Sequence, residues 1–332
     1  FFLARAVFSF LLSMWWRWYY SPEEFDDLEH EMQPDLWGPG RPAIAAFNRQ
    51  WTPELSMILF QIGCVAFVLT VFRFFWNTYV VRPWAKQKVL NAGYQLEHVD
   101  KFCESSFRFI FYTCSTLFIF RIAWQSEFFW KPWLQYHIDA SCSDELWALY
   151  IFELGYYAHS VVSHMFFESR KNDFLVMLIH HFATFMLLLC SLYVGYFRIG
   201  FLVLFAHDPC DPFLEAGKMF NYIHAYWPGV ISFIGLVSSW ILFRLVFYPI
   251  NCVLPTWFEG PIFLGADAPG YKICVCLVTL LQIFHVYWFV LICRTGLKVW
   301  NGEIQRGRSV DAREEDEKKK EKRKTGEKTK AD

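Results

Sequence analysis

Residues 174–197 read FLVMLIHHFATFMLLLCSLYVGYF, an apolar run that contains two adjacent histidines, His180 and His181. A second apolar run further along the chain is interrupted by the segment HDPCD at 207–211. Each run is long enough to cross the hydrocarbon core of a bilayer, where titratable side chains cost several kcal/mol and are therefore rare. These five ionisable groups predict a functional site inside a membrane.

The composition of the whole chain points the same way. Of its 332 residues, 55% are hydrophobic and 21% are aromatic, which is too apolar for an ordinary water-soluble domain. Charge is concentrated at the C-terminus, where residues 303–332 hold eleven Lys/Arg and nine Asp/Glu. We expect a multi-pass membrane protein with a charged, disordered tail. With a net charge of -1, the chain gives no indication of a nucleic-acid partner.

Seven apolar runs have about the 20-residue length that a membrane-spanning helix requires. They lie at about 56–80, 107–128, 146–168, 174–196, 199–222, 230–250 and 273–297. The fold class that follows is an all-α polytopic membrane protein with about seven transmembrane helices. The stretch at 1–20 is also apolar but carries Arg5 and Arg17, so we interpret it as an interfacial helix rather than an eighth span.

These runs divide the chain into five parts. They are an N-terminal amphipathic or lumenal segment (1–55), a first transmembrane helix (56–82), a cytoplasmic linker (83–106), a six-helix catalytic domain (107–300) and the charged cytoplasmic tail (301–332). Lys and Arg set the orientation, because short loops rich in them face the cytoplasm. They cluster in the linker, at Arg170-Lys171 and in the tail. We therefore place these pieces and the C-terminus on the cytoplasmic side.

The predicted topology brings the titratable groups to a common depth. With a helical rise of about 1.5 Å per residue, His180 lies roughly 10 Å below the cytoplasmic face, and His159 and His285 fall at similar depths on other helices. Asp208 and Asp211 reach roughly 12–17 Å from the same face. Polar groups at this depth cannot face lipid, so we expect them to line a cavity between helices.

Two prolines, Pro209 and Pro212, adjoin the aspartates of the HDPCD segment. Each proline removes a backbone donor and disfavours regular helix, so the sequence predicts a kink or an unwound turn here. Irregular backbone at membrane depth is tolerated where it lines a cavity. The prolines therefore predict the same location for the site as the charges do.

Single histidines in apolar helices more often serve packing than catalysis, which applies to His159, His164 and His285 taken alone. The histidine pair combined with two aspartates favours a site instead. Adjacent helical residues point about 100° apart, so we expect one of His180 and His181 to face the cavity and the other to contact a neighbouring helix.

Cationic side chains lie near the cytoplasmic rim of the predicted cavity. They are Arg108, Arg170, Lys171 and Lys218, which either hold an anionic cofactor or mark the topology. Glu215 precedes Lys218 by one helical turn and is expected to pair with it.

The residues around the polar segments form a pattern. It comprises RKNDFxxMxxHHxxT at 170–184, Ser191, RIG at 198–200, HDxxD at 207–211, Leu214-Glu215 and KxxNY at 218–222. This pattern resembles the Lag1p motif of ceramide synthases. Upstream, KFxESxxRFxFY at 101–112 is similar to the stretch that opens the membrane domain of that family, so the resemblance extends from about Lys101 to the end of the last helix.

The resemblance implies a TLC-domain protein of the endoplasmic reticulum membrane, in which six helices surround a central chamber after one preceding helix. It implies transfer of a fatty acyl group from acyl-CoA to the amine of a sphingoid base, which yields ceramide or dihydroceramide. The family's essential residues correspond to His180, His181, Asp208 and Asp211. Further residues are interpreted as binding substrate or supporting the site: His159, His207, Glu215, Lys218, Asn221, His285, Arg170 and Lys171. The loop at 251–272 corresponds to the region associated with acyl-chain selectivity.

Amide formation from a thioester requires a deprotonated amine, a stabilised carbonyl oxygen and a neutralised leaving thiolate, tasks suited to a histidine oriented by an aspartate. One histidine of the pair acts as general base or as a nucleophile that forms an acyl-imidazole, while Asp208 or Asp211 fixes its tautomer or receives the sphingoid ammonium.

The expected partners follow from this reaction. They are fatty acyl-CoA as co-substrate, a sphingoid base such as sphinganine, sphingosine or phytosphingosine, and membrane lipid, with a homo- or heterodimer left open. We expect neither a metal nor a permanently bound cofactor.

Two other classes of function compete with this interpretation. A membrane di-iron oxygenase also gathers histidines near the cytoplasmic ends of helices, but this chain offers only His159-x4-His164 and one adjacent pair in suitable spacing. A non-enzymatic lipid-binding relative with the same helices would not require the His/Asp set. The presence of that set favours an enzyme.

Overall fold

The computed structural model describes residues 54–130, 142–166, 174–258, 260–261 and 270–300, and the side chains of the last helix as far as residue 297. The N-terminal segment predicted at 1–55 lies almost wholly outside this range, as do Arg170, Lys171 and the charged tail at 301–332. All regular elements of the described part are helical. They are α1 (Leu55–Asn91), α2 (Leu96–Gln125), α3 (Glu127–Trp130), α4 (Asp144–Phe166), α5 (Phe174–Val194), α6 (Phe197–His207), α7 (Asp211–Tyr222), α8 (Tyr226–Phe258) and α9 (Tyr271–Trp300).

Five of these helices, α1, α2, α5, α8 and α9, are long and apolar enough to cross a membrane. The predicted all-α polytopic membrane fold is therefore confirmed. The other two predicted spans are helical as well, at α4 and at α6–α7. Both are more polar or less regular than the rest, because α4 carries Glu153 and two histidines and α6–α7 is interrupted at 208–210.

The helices that follow α1 pack in a closed succession. α2 contacts α4, α4 contacts α5, α5 contacts α9, α9 contacts α8, α8 contacts α7, and α7 returns to α2. α6 contacts α2, α5 and α8, and all residues at 200–210 are buried. α1 packs against α4 along its first part and against α2 along its last. The centre of the domain is therefore occupied by α6 and the turn that follows it.

Helix boundaries differ from the expected ones at two loops. The cytoplasmic linker expected at 83–106 is mostly helical, because α1 continues to Asn91 and α2 begins at Leu96, with Gly93 in the left-handed region between them (φ 83°). The loop expected from residue 251 begins later, because α8 continues to Phe258. Pro249 stands at the first position of a π-helical segment, Pro249–Val253, where its missing N–H does not end the helix.

The contact of α6 with its neighbours depends on a glycine. The hydroxyl of Tyr150 on α4 donates to the carbonyl of Phe197 (2.8 Å) and lies 3.1 Å from the Ser191 hydroxyl on α5. A Cβ at Gly200 would lie 3.1 Å from that of Ser191 and would overlap both hydroxyls. Only glycine therefore lets the start of α6 approach this polar junction of three helices.

We predict that Gly200→Ala destabilises the protein by about 1–3 kcal/mol, the usual cost of overpacking a closely packed interior. The measurement is the melting temperature of the purified protein in detergent. Gly63→Ala is the matched control, since no atom lies within 4 Å of a Cβ at Gly63 on α1. Equal melting temperatures for the two variants would contradict the close approach at Gly200.

Candidate active site

The HDPCD segment forms an irregular turn in the interior of the domain. α6 ends at His207, a single 3-10 turn covers Asp208–Cys210, and α7 begins at Asp211. The predicted interruption is thus confirmed. Because a proline lacks an N–H and clashes with the preceding turn, Pro209 and Pro212 prevent α6 and α7 from forming one regular helix. The turn is fully buried and presents Asp208 to α2 and α4.

Asp208 forms a carboxyl pair with Glu153 of α4. The hydroxyl of Ser115 on α2 contacts both groups, at 2.5 Å from Glu153 Oε1 and at a shorter distance from Asp208 Oδ2. The two carboxyls therefore lie next to each other on one hydroxyl. Glu153, Asp208 and Ser115 are all completely buried. Three helices thus meet at an acidic centre without access to bulk water.

Asp211 has a different environment, because it pairs with a buried arginine. Arg244 Nη2 of α8 donates to Asp211 Oδ2 (2.9 Å) and to the carbonyl of His207 (2.7 Å). The guanidinium also lies over the ring of Trp240, 4.1 Å from its centroid. The charge of Asp211 is therefore neutralised within the protein. By contrast, Asp208 has no Lys or Arg within ion-pair distance in the described part of the chain.

Three histidines meet beside this turn. The imidazole of His207 lies 6.2 Å from that of His180 and 4.6 Å from that of His285. His207 Nδ1 lies 2.7 Å from the carbonyl of Val203, which can only accept, so Nδ1 carries a proton. In the neutral ring, Nε2 then accepts from His285 Nε2–H (2.9 Å). The predicted supporting residues His207 and His285 are thus fixed in complementary tautomers.

His180 and His181 contact different helices, as the sequence predicts for adjacent residues. The ring of His180 lies edge-on to Trp288 of α9 (4.8 Å) and beside His207. Its Nδ1 is buried and has no hydrogen-bond partner among the described residues. The ring of His181 instead lies 5.9 Å from that of Tyr157 on α4. His180 is therefore directed towards the turn at 207–211, whereas His181 is directed towards α4.

The other predicted site residues lie in three places. Glu215 pairs with Lys218 (2.7 Å), as predicted, and with Arg108 (3.6 Å). Asn221 lies at the end of α7, where its carbonyl accepts from the Tyr94 hydroxyl (3.5 Å). His159 faces α1, where its Nδ1 donates to the Thr70 hydroxyl (2.8 Å), which itself donates to the carbonyl of Ala66. The structure thus assigns His159 to a helix contact, and its place in the predicted cavity is not supported.

A small apolar cavity lies beside the C-terminal half of α5. Its walls come from α5, α6, the end of α8 and the start of α9, and include Leu187, Val203, Thr256, Tyr271 and Val278. Leu187 is seven residues after His180, which corresponds to a distance of roughly 10 Å along the helix axis. The cavity therefore lies further towards the C-terminal end of α5 than the two histidines.

Known proteins share this sequence over most of the helical domain. Residues 101–294 match the family model of the TLC domain. The chain belongs to the TLC-domain family. It is 32% identical over 224 residues to ceramide synthase 4 of Bos taurus, and the aligned region covers 65% of this chain and 55% of that protein. It is 33% identical over 213 residues to ceramide synthase 1 LOH3 of Arabidopsis thaliana, an alignment that covers 60% of this chain and 69% of that protein. It is 30% identical over 274 residues to an ASC1-like protein of Solanum lycopersicum, an alignment that covers 74% of this chain and 88% of that protein.

The predicted family is thereby confirmed, although the chain spans only about half the length of the bovine relative. The TLC-domain match begins within α2 and ends within α9. It includes the carboxyl pair, the three grouped histidines and the Arg244–Asp211 ion pair, whereas α1 precedes it. The candidate site is therefore contained in the TLC domain.

Glu153, Ser115 and Arg244 are site residues that the sequence reasoning missed. Glu153 and Arg244 are ionisable groups within predicted spans, so the polarity argument that identified the histidines applies to them equally. Ser115 gave no such signal, because a serine in an apolar helix is usually satisfied by its own backbone. Only the packing of α2 against the turn identifies it.

We predict that Arg244→Met destabilises the protein by about 3–5 kcal/mol, because it leaves the carboxylate of Asp211 buried without its cation. Adding Asp211→Asn should restore part of this loss. The readout is the melting temperature in detergent. Arg121→Met is the control, since Arg121 and Glu145 form an exposed pair worth less than about 1 kcal/mol. Equal melting temperatures for Arg244→Met and the control would show that the buried pair is not needed for stability.

Proposed function

We propose that this protein is a ceramide synthase, which transfers a fatty acyl group from acyl-CoA to the amine of a sphingoid base. The observation that carries the proposal is the position of His180 beside the buried turn of a TLC domain that bears Asp208 and Asp211. The names of the matched relatives from Bos taurus and Arabidopsis thaliana support the same reaction. A TLC-domain match with these relatives favours this function over a di-iron oxygenase.

The histidines supply the acid–base chemistry of the reaction. The sphingoid amine must lose a proton before it attacks the acyl carbon, and the departing thiolate must gain one. The buried Nδ1 of His180 has no hydrogen-bond partner among the described residues and is therefore available for the reaction. In one mechanism it accepts a proton, and in the other it attacks the thioester and carries the acyl group as an acyl-imidazole. His181, which faces α4, then supports the ring of His180.

The acyl chain is expected to extend from the histidines towards the apolar cavity. Thr256 and Tyr271 line that cavity and flank the loop that the resemblance associates with chain-length selectivity. The hydroxyl of Tyr271 donates to the carbonyl of Thr256 (2.5 Å), which ties the start of α9 to the end of α8. The position of this connection would set the depth of the channel and hence the length of acyl chain that fits.

The CoA moiety is expected to bind at the cytoplasmic rim. Lys218 is about two-fifths exposed there, and Arg108 lies beside it through their shared partner Glu215. Arg170 and Lys171, which lie outside the described residues, add two cations in the sequence. We place the protein in the endoplasmic reticulum membrane with its C-terminus in the cytoplasm, where acyl-CoA is made available. The excess of Lys and Arg in the linker and tail supports that orientation.

The proposal is tested by product analysis. The purified protein, reconstituted in lipid, is incubated with acyl-CoAs of different lengths and with sphinganine, and the products are identified by mass. We expect N-acyl sphinganine formed from a limited range of acyl lengths. Binding of both substrates without any amide product would instead support a non-enzymatic lipid-binding protein.

We predict that His180→Ala and Asp208→Asn each lower the rate of N-acylation by about 10²–10⁴-fold, the usual contribution of a general acid–base group. Both variants should elute as folded protein in size-exclusion chromatography. His224→Asn is the control, because His224 lies at a distant turn with φ 55°, a conformation that asparagine tolerates. Normal activity of both variants would end the proposal that this site is catalytic.

A further inference from the structure

The carboxyl pair of Glu153 and Asp208 has unused hydrogen-bonding capacity. One oxygen of each group contacts the Ser115 hydroxyl, and both residues are 0% exposed. The second oxygens, Glu153 Oε2 and Asp208 Oδ1, have no hydrogen-bond partner in the part of the chain that the structure describes. Buried polar atoms are nearly always satisfied in folded proteins. Because these two atoms belong to carboxyls that contact the same hydroxyl, they point to a ligand that donates hydrogen bonds to both groups.

The charge of the pair indicates a cationic ligand. Two buried carboxyls that contact one hydroxyl do not both ionise, and a pair that shares one proton carries one negative charge. The other acidic groups nearby are neutralised by the protein, since Asp211 pairs with Arg244 and Glu215 with Lys218. Within the described residues, no Lys or Arg forms an ion pair with Glu153 or Asp208. A buried charge of this kind is stable only with a counter-ion.

The surroundings limit what that counter-ion is. The site lies among helices that are long and apolar enough to cross a membrane, a setting that suits a ligand with an apolar tail. Two free oxygens suit a primary ammonium, which offers three N–H donors. Among the described residues, no group of three or more His, Cys, Asp or Glu side chains is arranged to hold a metal ion. These properties together describe a long-chain amine.

The pair also lies beside the histidines. Asp208 directly follows His207, whose ring is 6.2 Å from that of His180. Tyr157 lies one helical turn after Glu153 on the same face of α4, and its ring is 5.9 Å from that of His181. The carboxyl pair is therefore linked to His180 through His207 and to His181 through Tyr157.

We propose that Glu153 and Asp208 together bind the ammonium group of the sphingoid base and take its proton. This inference rests on the proposed function and deepens it. It assigns the amine to Asp208 rather than to Asp211, whose charge Arg244 already neutralises. Ser115 is a positioning residue that holds the two carboxyls together.

The proton transfer leaves no charge in the site. The ammonium and the singly protonated pair, with charges of +1 and -1, become a neutral amine and a neutral, doubly protonated pair. The amine nitrogen then forms a bond to the acyl carbon as the bond from that carbon to its leaving group breaks. The second proton of the amine passes to the leaving group through a histidine, and the pair gives up its extra proton to bulk water when the product leaves and water enters the site. Neutralisation of both charges favours this step in a medium of low dielectric constant.

A binding experiment tests the ammonium site without any variant. The full-length protein in lipid nanodiscs is titrated with sphinganine and with an analogue in which a hydroxyl replaces the amine, and binding to protein-free nanodiscs is subtracted. We expect the amine to bind about 30-fold more tightly or better, as for a buried charge pair. Equal affinity for the two ligands would overturn the proposal.

Variants then show which residues cause the preference for the amine over the hydroxyl analogue. The double variant Glu153→Gln/Asp208→Asn should reduce the preference for the amine to less than about threefold, since no carboxylate remains in the pair. Glu145→Gln is the matched control on the same helix as Glu153, because Glu145 forms an exposed pair with Arg121, and it should keep the preference. Should the double variant fail to fold, the two single variants take its place, and each should lower the preference because it removes one of the two carboxyls that contact the ammonium. Retention of the full preference in the folded carboxyl variants would also overturn the proposal.

Activity separates this inference from the function on which it rests. In N-acylation assays, Glu153→Gln should raise the KM for sphinganine about fivefold or more, because only Asp208 is left to bind the ammonium, and change the KM for acyl-CoA less than about threefold. If the wild-type protein binds sphinganine more tightly than the hydroxyl analogue but catalyses no N-acylation, the ceramide synthase function is overturned and the ammonium site is retained. If the protein catalyses N-acylation but binds sphinganine and the hydroxyl analogue equally, only the ammonium site is overturned.

Discussion

The burial of Asp208 in an interrupted helix is the constraint on which the rest of the structure depends. A carboxyl at this position is tolerated only if neighbouring helices supply hydrogen bonds or charge. Ser115 and Glu153 provide hydrogen-bonding groups, so α2 and α4 must approach the turn at 207–211. Arg244 neutralises the adjacent Asp211 and accounts for the approach of α8. The closed succession of helices around α6 follows from these contacts as much as from apolar packing.

The same constraint separates the roles of the acidic residues. Asp211 and Glu215 pair with cations of the protein and therefore belong to its framework. Glu153 and Asp208 share one hydroxyl and keep two oxygens unsatisfied in the described part of the chain. Such incomplete pairing lowers stability, since a buried polar atom without a partner costs about 1–3 kcal/mol. A protein retains it where a substrate completes the pairing.

Much of the fold was predictable from sequence, because hydrophobic runs and prolines act locally. Each predicted span overlaps a helix of the structure, the break at Pro209 lies where expected, and Glu215 pairs with Lys218. The direction in which a side chain points around its helix axis was less predictable. Depth along the axis suggested that His159 joins the other histidines, but its side chain points to Thr70 on α1. The partners Ser115 and Glu153 depend on which helices become neighbours, and a span pattern does not specify that.

The central claim is that the carboxyl pair and the histidines beside it receive the substrates. The most direct test is photocrosslinking with a sphingoid base that carries an alkyl diazirine next to its headgroup, followed by peptide mapping. We expect adducts on peptides that contain Glu153 or Asp208, and we expect excess sphinganine to suppress them. Adducts confined to lipid-facing residues of α1, and unaffected by excess sphinganine, would contradict it.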